Sequence, residues 1–300
     1  MLLRRLLQLA FALALVVVGA SATLRLAANG IGCEPWPACY GRAATAMAAN
    51  ARPLSRTLRL SHRIAASAFA LVALAIVVVG WRQWAGGQRV AGAVLLAVTA
   101  VLAWIGRYTP STLPAVTLVN LLGGFALLAL LAYLLARSAG AKAAAAGGGL
   151  IVLIVALALQ SGGGALISAR VAGDACAVDC STSWLAGTGA LANPVLPGAA
   201  AEVGPPRAAQ ALHFWHRLGG LVLTLATILA VFAQRHRIVG RAAAPAMFGA
   251  AATCSLGFAV ATDPPSLAAA ASHALAAGVL SAALAAAFAW RSEPTREVGR

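Results

Sequence analysis

The chain has 300 residues, of which 61% are apolar and only 10% charged, with a mean hydropathy of +0.88. A soluble domain carries about 25% charged residues, so this composition excludes a water-soluble globule, and it excludes a disordered chain as well. The net charge of +15 does not point to nucleic acid, because the 22 basic residues sit in loops and at segment ends, with no basic stripe interleaved with aromatics.

Eight apolar segments are read in chain order: 5–27, 63–80, 89–106, 114–136, 148–168, 210–232, 245–262 and 268–290. Each is long enough to cross roughly 30 Å of hydrocarbon, and in lipid each must be helical, because unpaired backbone groups are too costly there. The expected fold is therefore an all-α integral membrane protein with eight transmembrane helices, arranged as two pseudo-symmetric four-helix bundles. The first segment also resembles a signal peptide, with Arg4, Arg5, an apolar core and Gly19-Ala-Ser-Ala22. It is read here as an uncleaved anchor.

Orientation follows from basic residues near the segment ends. Arg4, Arg5, Arg82, Arg89, Arg137, Lys142, Arg235, Arg237 and Arg241 fall on one side, and eight spans return the C-terminal tail there. Five of the seven acids (Glu34, Asp174, Asp179, Glu202 and Asp263) lie on the opposite side, which has two long loops, 28–61 and 169–209. Both termini are expected in the cytoplasm, in a bacterial-type inner membrane.

The cysteines agree with that orientation. Cys33 and Cys39 lie in the first outer loop, Cys176 and Cys180 in the second, and Cys254 alone lies within a helix. Cysteine pairs in an oxidising compartment read as disulfides, either structural or redox-active, and neither loop's CX5C or CX3C spacing is accompanied by a histidine zinc ligand.

An internal duplication carries the most information. His62-Arg63 opens the second segment and His216-Arg217 the sixth, 154 residues later. Asn120 on the fourth segment and His273 on the eighth are 153 apart, and Cys33 and Cys176 are 143 apart. The chain is thus read as two units, 1–140 and 141–300, related by an axis along the membrane normal. His62, Asn120, His216 and His273 each lie within about two turns of the outer surface, at 1.5 Å per residue. His216 and His273 can then face each other at one level, and two neutral imidazoles in an apolar bundle form an axial cage for a b-type heme iron. A lone histidine at a helix end is more often an interfacial residue; depth-matched partners in a repeat favour the ligand reading. Arg63 and Arg217 could fork onto heme propionates or snorkel to headgroups. His213, one turn before His216, could orient a propionate, shuttle a proton or sit at headgroup level. His236, between Arg235 and Arg237, reads as a solvated loop residue.

Together these segments resemble the heme A synthase family. The resemblance rests on Gly-Ile-Gly-Cys33-Glu-Pro-Trp-Pro-Ala-Cys39-Tyr-Gly, on His62-Arg63 and on Leu113-Pro-Ala-Val-Thr117-Leu-Val-Asn-Leu-Leu-Gly-Gly124. Gly164-Ala-Leu-Ile-Ser-Ala-Arg170, His213-Phe-Trp-His216-Arg-Leu-Gly-Gly220 and His273 extend it over nearly the whole chain. It implies a b-type heme in the C-terminal half and heme O as substrate in the N-terminal half, where His62 would position the iron. The implied reaction oxidises a heme O methyl group to formyl by successive hydroxylations with loss of water. The partners it implies are membrane lipid, heme O and heme A, heme O synthase and cytochrome oxidase assembly factors. Two departures stand out. Asn120 occupies a position where the family typically has histidine, and Arg59 one where it usually has glutamate. They leave open two non-enzymatic readings, a degenerate heme-binding assembly protein and a membrane b-type electron-transfer cytochrome; solute transport ranks last.

Overall fold

In the computed structural model, residues 1–28, 53–108, 113–140, 148–173, 175–176, 183–198, 200–233, 240–261 and 266–289 are described. Among them there is no strand, and eight helices are long and apolar enough to cross a membrane. They are α1 (Leu2–Ala28), α2 (Pro53–Gly80), α3 (Gly87–Ile105) and α4 (Pro114–Ser138), followed by α5 (Gly148–Ala169), α6 (Pro206–Ala233), α7 (Gly240–Val260) and α8 (Leu267–Ala289).

The boundaries match the hydropathy reading to within about five residues, except at the start of α2. Helix α2 begins at Pro53, ten residues before the expected start, and α6 begins at Pro206, four residues before. Both openings are polar turns, carrying Arg56 and Arg59 in α2 and Arg207 in α6. Hydropathy registers where the hydrocarbon begins, whereas a helix can continue into the headgroup layer. Proline at the first helical position starts α2, α4 and α6, since its fixed φ suits a helix and its missing N–H would be unpaired there anyway.

The helices pack as two rings. Helices α1 and α3 each pack against both α2 and α4, which leaves α2 and α4 at opposite corners. In the same way α5 and α7 each pack against both α6 and α8, which sets α6 and α8 at opposite corners. The rings meet chiefly through α4 and α8, aided by α1 on α8 and α4 on α5. Leu7, Ala10, Phe69, Ile76, Leu128 and Leu131 fill one core, while Leu150, Leu153, Leu157, Ala250 and Leu284 fill the other. Where α7 meets α8, a Cβ on Gly249 would lie 3.4 Å from the Leu280 Cα. Small residues let these backbones approach closely, which is how helices associate when lipid is as apolar as their side chains. Outward faces carry exposed Leu74, Val78, Leu225, Leu229, Phe232 and Phe248, as a surface facing acyl chains requires.

Candidate functional site

The sixth and eighth helices bring the predicted pair together. The rings of His216 on α6 and His273 on α8 face each other across the second helix ring, with centroids 6.4 Å apart and planes at 89°. Opposite corners of a four-helix ring do not touch, so side chains meet there in a space bounded by all four helices.

Each imidazole is held by the helix that precedes its own. On α7, the Thr253 carbonyl lies 2.9 Å from His273 Nδ1 and accepts its N–H, which leaves Nε2 with a free lone pair. On α5, Gln160 Nε2 lies 3.1 Å from His216 Nδ1 and also donates to the His216 backbone carbonyl. Four residues beyond each polar partner a glycine makes room for the ring. A Cβ on Gly164 would come within 2.9 Å of His216 Cε1, and one on Gly257 within 3.1 Å of His273 Cε1. The two ligand candidates therefore sit in equivalent notches of consecutive helix pairs.

This arrangement can be tested against a metal. Two metal–imidazole bonds of about 2 Å, continued to the ring centres, separate the centroids by about 6 Å. The observed spacing fits one metal ion between the rings. Among the described residues no group of three or more His, Cys, Asp or Glu could hold a metal ion. A two-nitrogen donor set does not satisfy a bare ion, but it suits an iron already held in the plane of a porphyrin, which needs only axial ligands. The residues fit a heme.

The neighbouring side chains take different places. Arg217 is exposed on α6, and Arg63 is exposed on α2. His213 is half-buried against the backbone of Ala172 and Gly173, and its buried Nε2 has no hydrogen-bond partner among the described residues. His236 lies outside the described residues.

The first ring repeats the plan with different chemistry. His62 on α2 and Asn120 on α4 are half-buried on helices at opposite corners, the places that His216 and His273 hold in the second ring. Neither side chain makes a hydrogen bond among the described residues, and Arg59 lies exposed. The repeat also reaches Thr99 and Thr253, 154 residues apart, whose hydroxyls each bond 2.7 Å to the carbonyl four residues back.

A buried arginine organises the segment between α5 and α6, a role that the sequence reading did not assign. Helix α5 ends with Ala172 N–H bonding the Ile167 carbonyl and Val171 N–H bonding that of Ser168, while Val171 takes a left-handed φ of 55°. This turn delivers Arg170, 0% exposed, into the segment 183–198. Its guanidinium donates to the carbonyls of Gly198 at 2.9 Å, Asn193 at 2.6 Å, Leu191 at 3.3 Å and Ala190 at 3.4 Å. Burial lowers its pKa from the usual guanidinium value. The segment so held reaches the other ring, where the Pro194 carbonyl accepts the Ala115 N–H at the start of α4.

Sequence reasoning also missed Gln160, although a signal was present: it is the one side-chain amide in an otherwise apolar α5. Thr253 acts through its backbone carbonyl, for which no side-chain signal exists. The cysteine pairs lie outside the described residues except for Cys176, so neither pairing is shown; Cys176 is buried with Sγ 3.7 Å from the Gln210 carbonyl.

A family model described as cytochrome oxidase assembly protein, COX15-CtaA, matches residues 4–285. A search of curated proteins returned no match. With nearly its whole length matched, the chain belongs to this cytochrome oxidase assembly and heme A synthase family.

Proposed function

We propose that this COX15-CtaA family member is a heme A synthase-type oxidoreductase of the inner (cytoplasmic) membrane, with both termini in the cytoplasm. In this reading the unit 141–300 holds a b-type heme, and the unit 1–140 receives heme O and oxidises its methyl group to formyl. The observation that carries it is the His216–His273 pair, spaced for one metal, with each ring tied through Nδ1 to a neighbouring helix.

His216 and His273 would hold the heme iron, and the bound heme would supply a one-electron redox centre. Gly164 and Gly257 keep the two imidazoles close to α5 and α7. Arg217 stands beside its histidine at the outer end, where its planar fork suits a propionate; Arg63 has the same place in the substrate half. His62 would position the substrate iron, and Asn120 opposite it, a poor iron ligand, leaves the second face open to chemistry. The pairs Cys33–Cys39 and Cys176–Cys180 would close the outer loops as disulfides. Membrane lipid surrounds the protein, and heme O synthase and oxidase assembly factors are the partners that would deliver substrate and take product.

Asn120 and Arg59 favour a second reading. With an amide and a cation replacing a ligand and a carboxylate, the chain would bind heme for oxidase assembly without oxidising it.

Pigment extraction from a heme-O-producing host expressing the chain separates the two. Heme A in the extract supports the synthase. A b-type spectrum without heme A would overturn the enzymatic reading and leave the binding one. In either case His216→Ala and His273→Ala should each abolish the low-spin spectrum, and an unchanged spectrum in both would refute the ligand pair.

A further inference from the structure

We infer that Gln160 is the positioning residue of His216, setting both its ring plane and the ring nitrogen that carries the hydrogen. The inference rests on the heme-ligand reading above. Its basis is the asymmetry between the two imidazoles. His273 Nδ1 faces a main-chain carbonyl, which can only accept, so its hydrogen is fixed on Nδ1. His216 Nδ1 faces an amide, which can donate through nitrogen or accept through oxygen.

The surroundings decide which end of the amide faces the ring. Gln160 Nε2 also points at the His216 carbonyl, where an amide oxygen would meet another oxygen and be repelled. The nitrogen end is therefore toward α6, Nδ1 accepts, and the ring hydrogen sits on Nε2. Ligation through Nε2 needs that nitrogen's lone pair, so the hydrogen must move to Nδ1, and the amide must turn to offer Oε1, giving up its bond to the His216 carbonyl and moving away from it. Metal ligands of this kind regularly depend on such an outer hydrogen bond for their orientation and basicity. The room for the amide comes from Gly219-Gly220: a Cβ on Gly219 would lie 2.5 Å from Oε1, and one on Gly220 3.2 Å from Nε2. Those glycines belong to the His213–Gly220 motif, and Gln160 explains why they are small.

The test uses the full chain in detergent, with wild type, Gln160→Glu, Gln160→Leu and Gly219→Ala compared. In the heme-loaded protein, the carboxylate of Gln160→Glu should strengthen the Nδ1–H bond and shift the midpoint potential to a more negative value. Gln160→Leu removes the acceptor and should shift it to a more positive value, and Gly219→Ala should alter the low-spin EPR g-values by displacing the amide. In the metal-free chain, nitrogen NMR of labelled histidine should show His216 as the Nε2–H tautomer in wild type and a mixture in Gln160→Leu. Wild-type potentials and g-values in all three variants, or shifts of one sign in both Gln160 variants, would overturn the inference, as would unchanged tautomer populations. Loss of the low-spin spectrum in His216→Ala alongside those results shows that the heme reading stands and only the role of Gln160 fails. Absence of any low-spin spectrum in wild type sinks the heme reading instead, and the metal-free tautomer measurement then decides Gln160 by itself.

Discussion

The ring planes of His216 and His273 are perpendicular, at 89°, while their centroids stand at the spacing of two axial ligands. An imidazole that ligates heme iron donates π density to the iron d orbital normal to its own plane. Parallel planes raise one of two such orbitals, whereas crossed planes raise both equally and leave them nearly degenerate. The heme-loaded protein should accordingly give a highly anisotropic low-spin EPR signal with one large g-value. A rhombic signal typical of parallel imidazoles would mean that the rings turn on ligation.

Gly164 and Gly257 should tolerate no side chain. Adding a methyl group to a packed interior costs about 1–3 kcal/mol, and here the atoms in the way are the candidate ligands themselves. Gly164→Ala and Gly257→Ala are each expected to lower heme occupancy by displacing His216 or His273. The ratio of low-spin absorbance to protein measures this. Gly106→Ala, where no described residue lies within 4 Å of the added atom, is the control expected to retain full occupancy.

Arg170 should be indispensable to the segment 183–198. Its removal takes the guanidinium from the carbonyls of Leu191, Asn193 and Gly198, while that of Ala190 keeps the Asn193 N–H; a buried polar group left unpaired costs about 1–3 kcal/mol. Lysine offers three donors on one point and cannot span carbonyls gathered from Ala190 to Gly198. Both Arg170→Ala and Arg170→Lys are expected to lower thermal stability and to expose 183–198 to protease in the detergent-solubilised protein. Wild-type resistance in Arg170→Lys would show that charge alone suffices.

Asn120→His restores the ligand type that His273 supplies in the second ring. Because Asn120 and His62 occupy opposite corners of the first ring, the variant should retain heme there as well. Its heme-to-protein ratio is expected to approach twice that of wild type in a low-spin form. An unchanged ratio would show that the first ring does not present its two positions to one iron.

Asn120→His also bears on how far residue pattern alone reaches. The eight spans, the recurring spacing of 153 to 154 residues and the four polar positions near helix ends could all be read before any coordinates. Those features are one-dimensional: hydrocarbon thickness sets the length of an apolar run, and a duplication preserves spacing. Polar residues are scarce in such a chain, so each of them stands out. The early start of α2 escaped the same reading, because a helix passing through headgroups has no hydropathy signature.

The pairing of notches and rings belongs to the folded chain alone. Gln160 meets His216 across 56 positions, Thr253 meets His273 across 20, and Arg170 gathers carbonyls 20 to 28 residues away. No periodicity encodes these contacts, since they depend on which helices become neighbours and how each is rotated. Gly164, Gly219 and Gly257 look alike in sequence, yet two make room for an imidazole and one for an amide. Apolar length and repetition were enough to establish a membrane protein with a histidine pair in its second half. Only the packing of α5 on α6 and of α7 on α8 gave each histidine a hydrogen-bond partner and an orientation, because hydrogen bonds act over about 3 Å and must be closed in space.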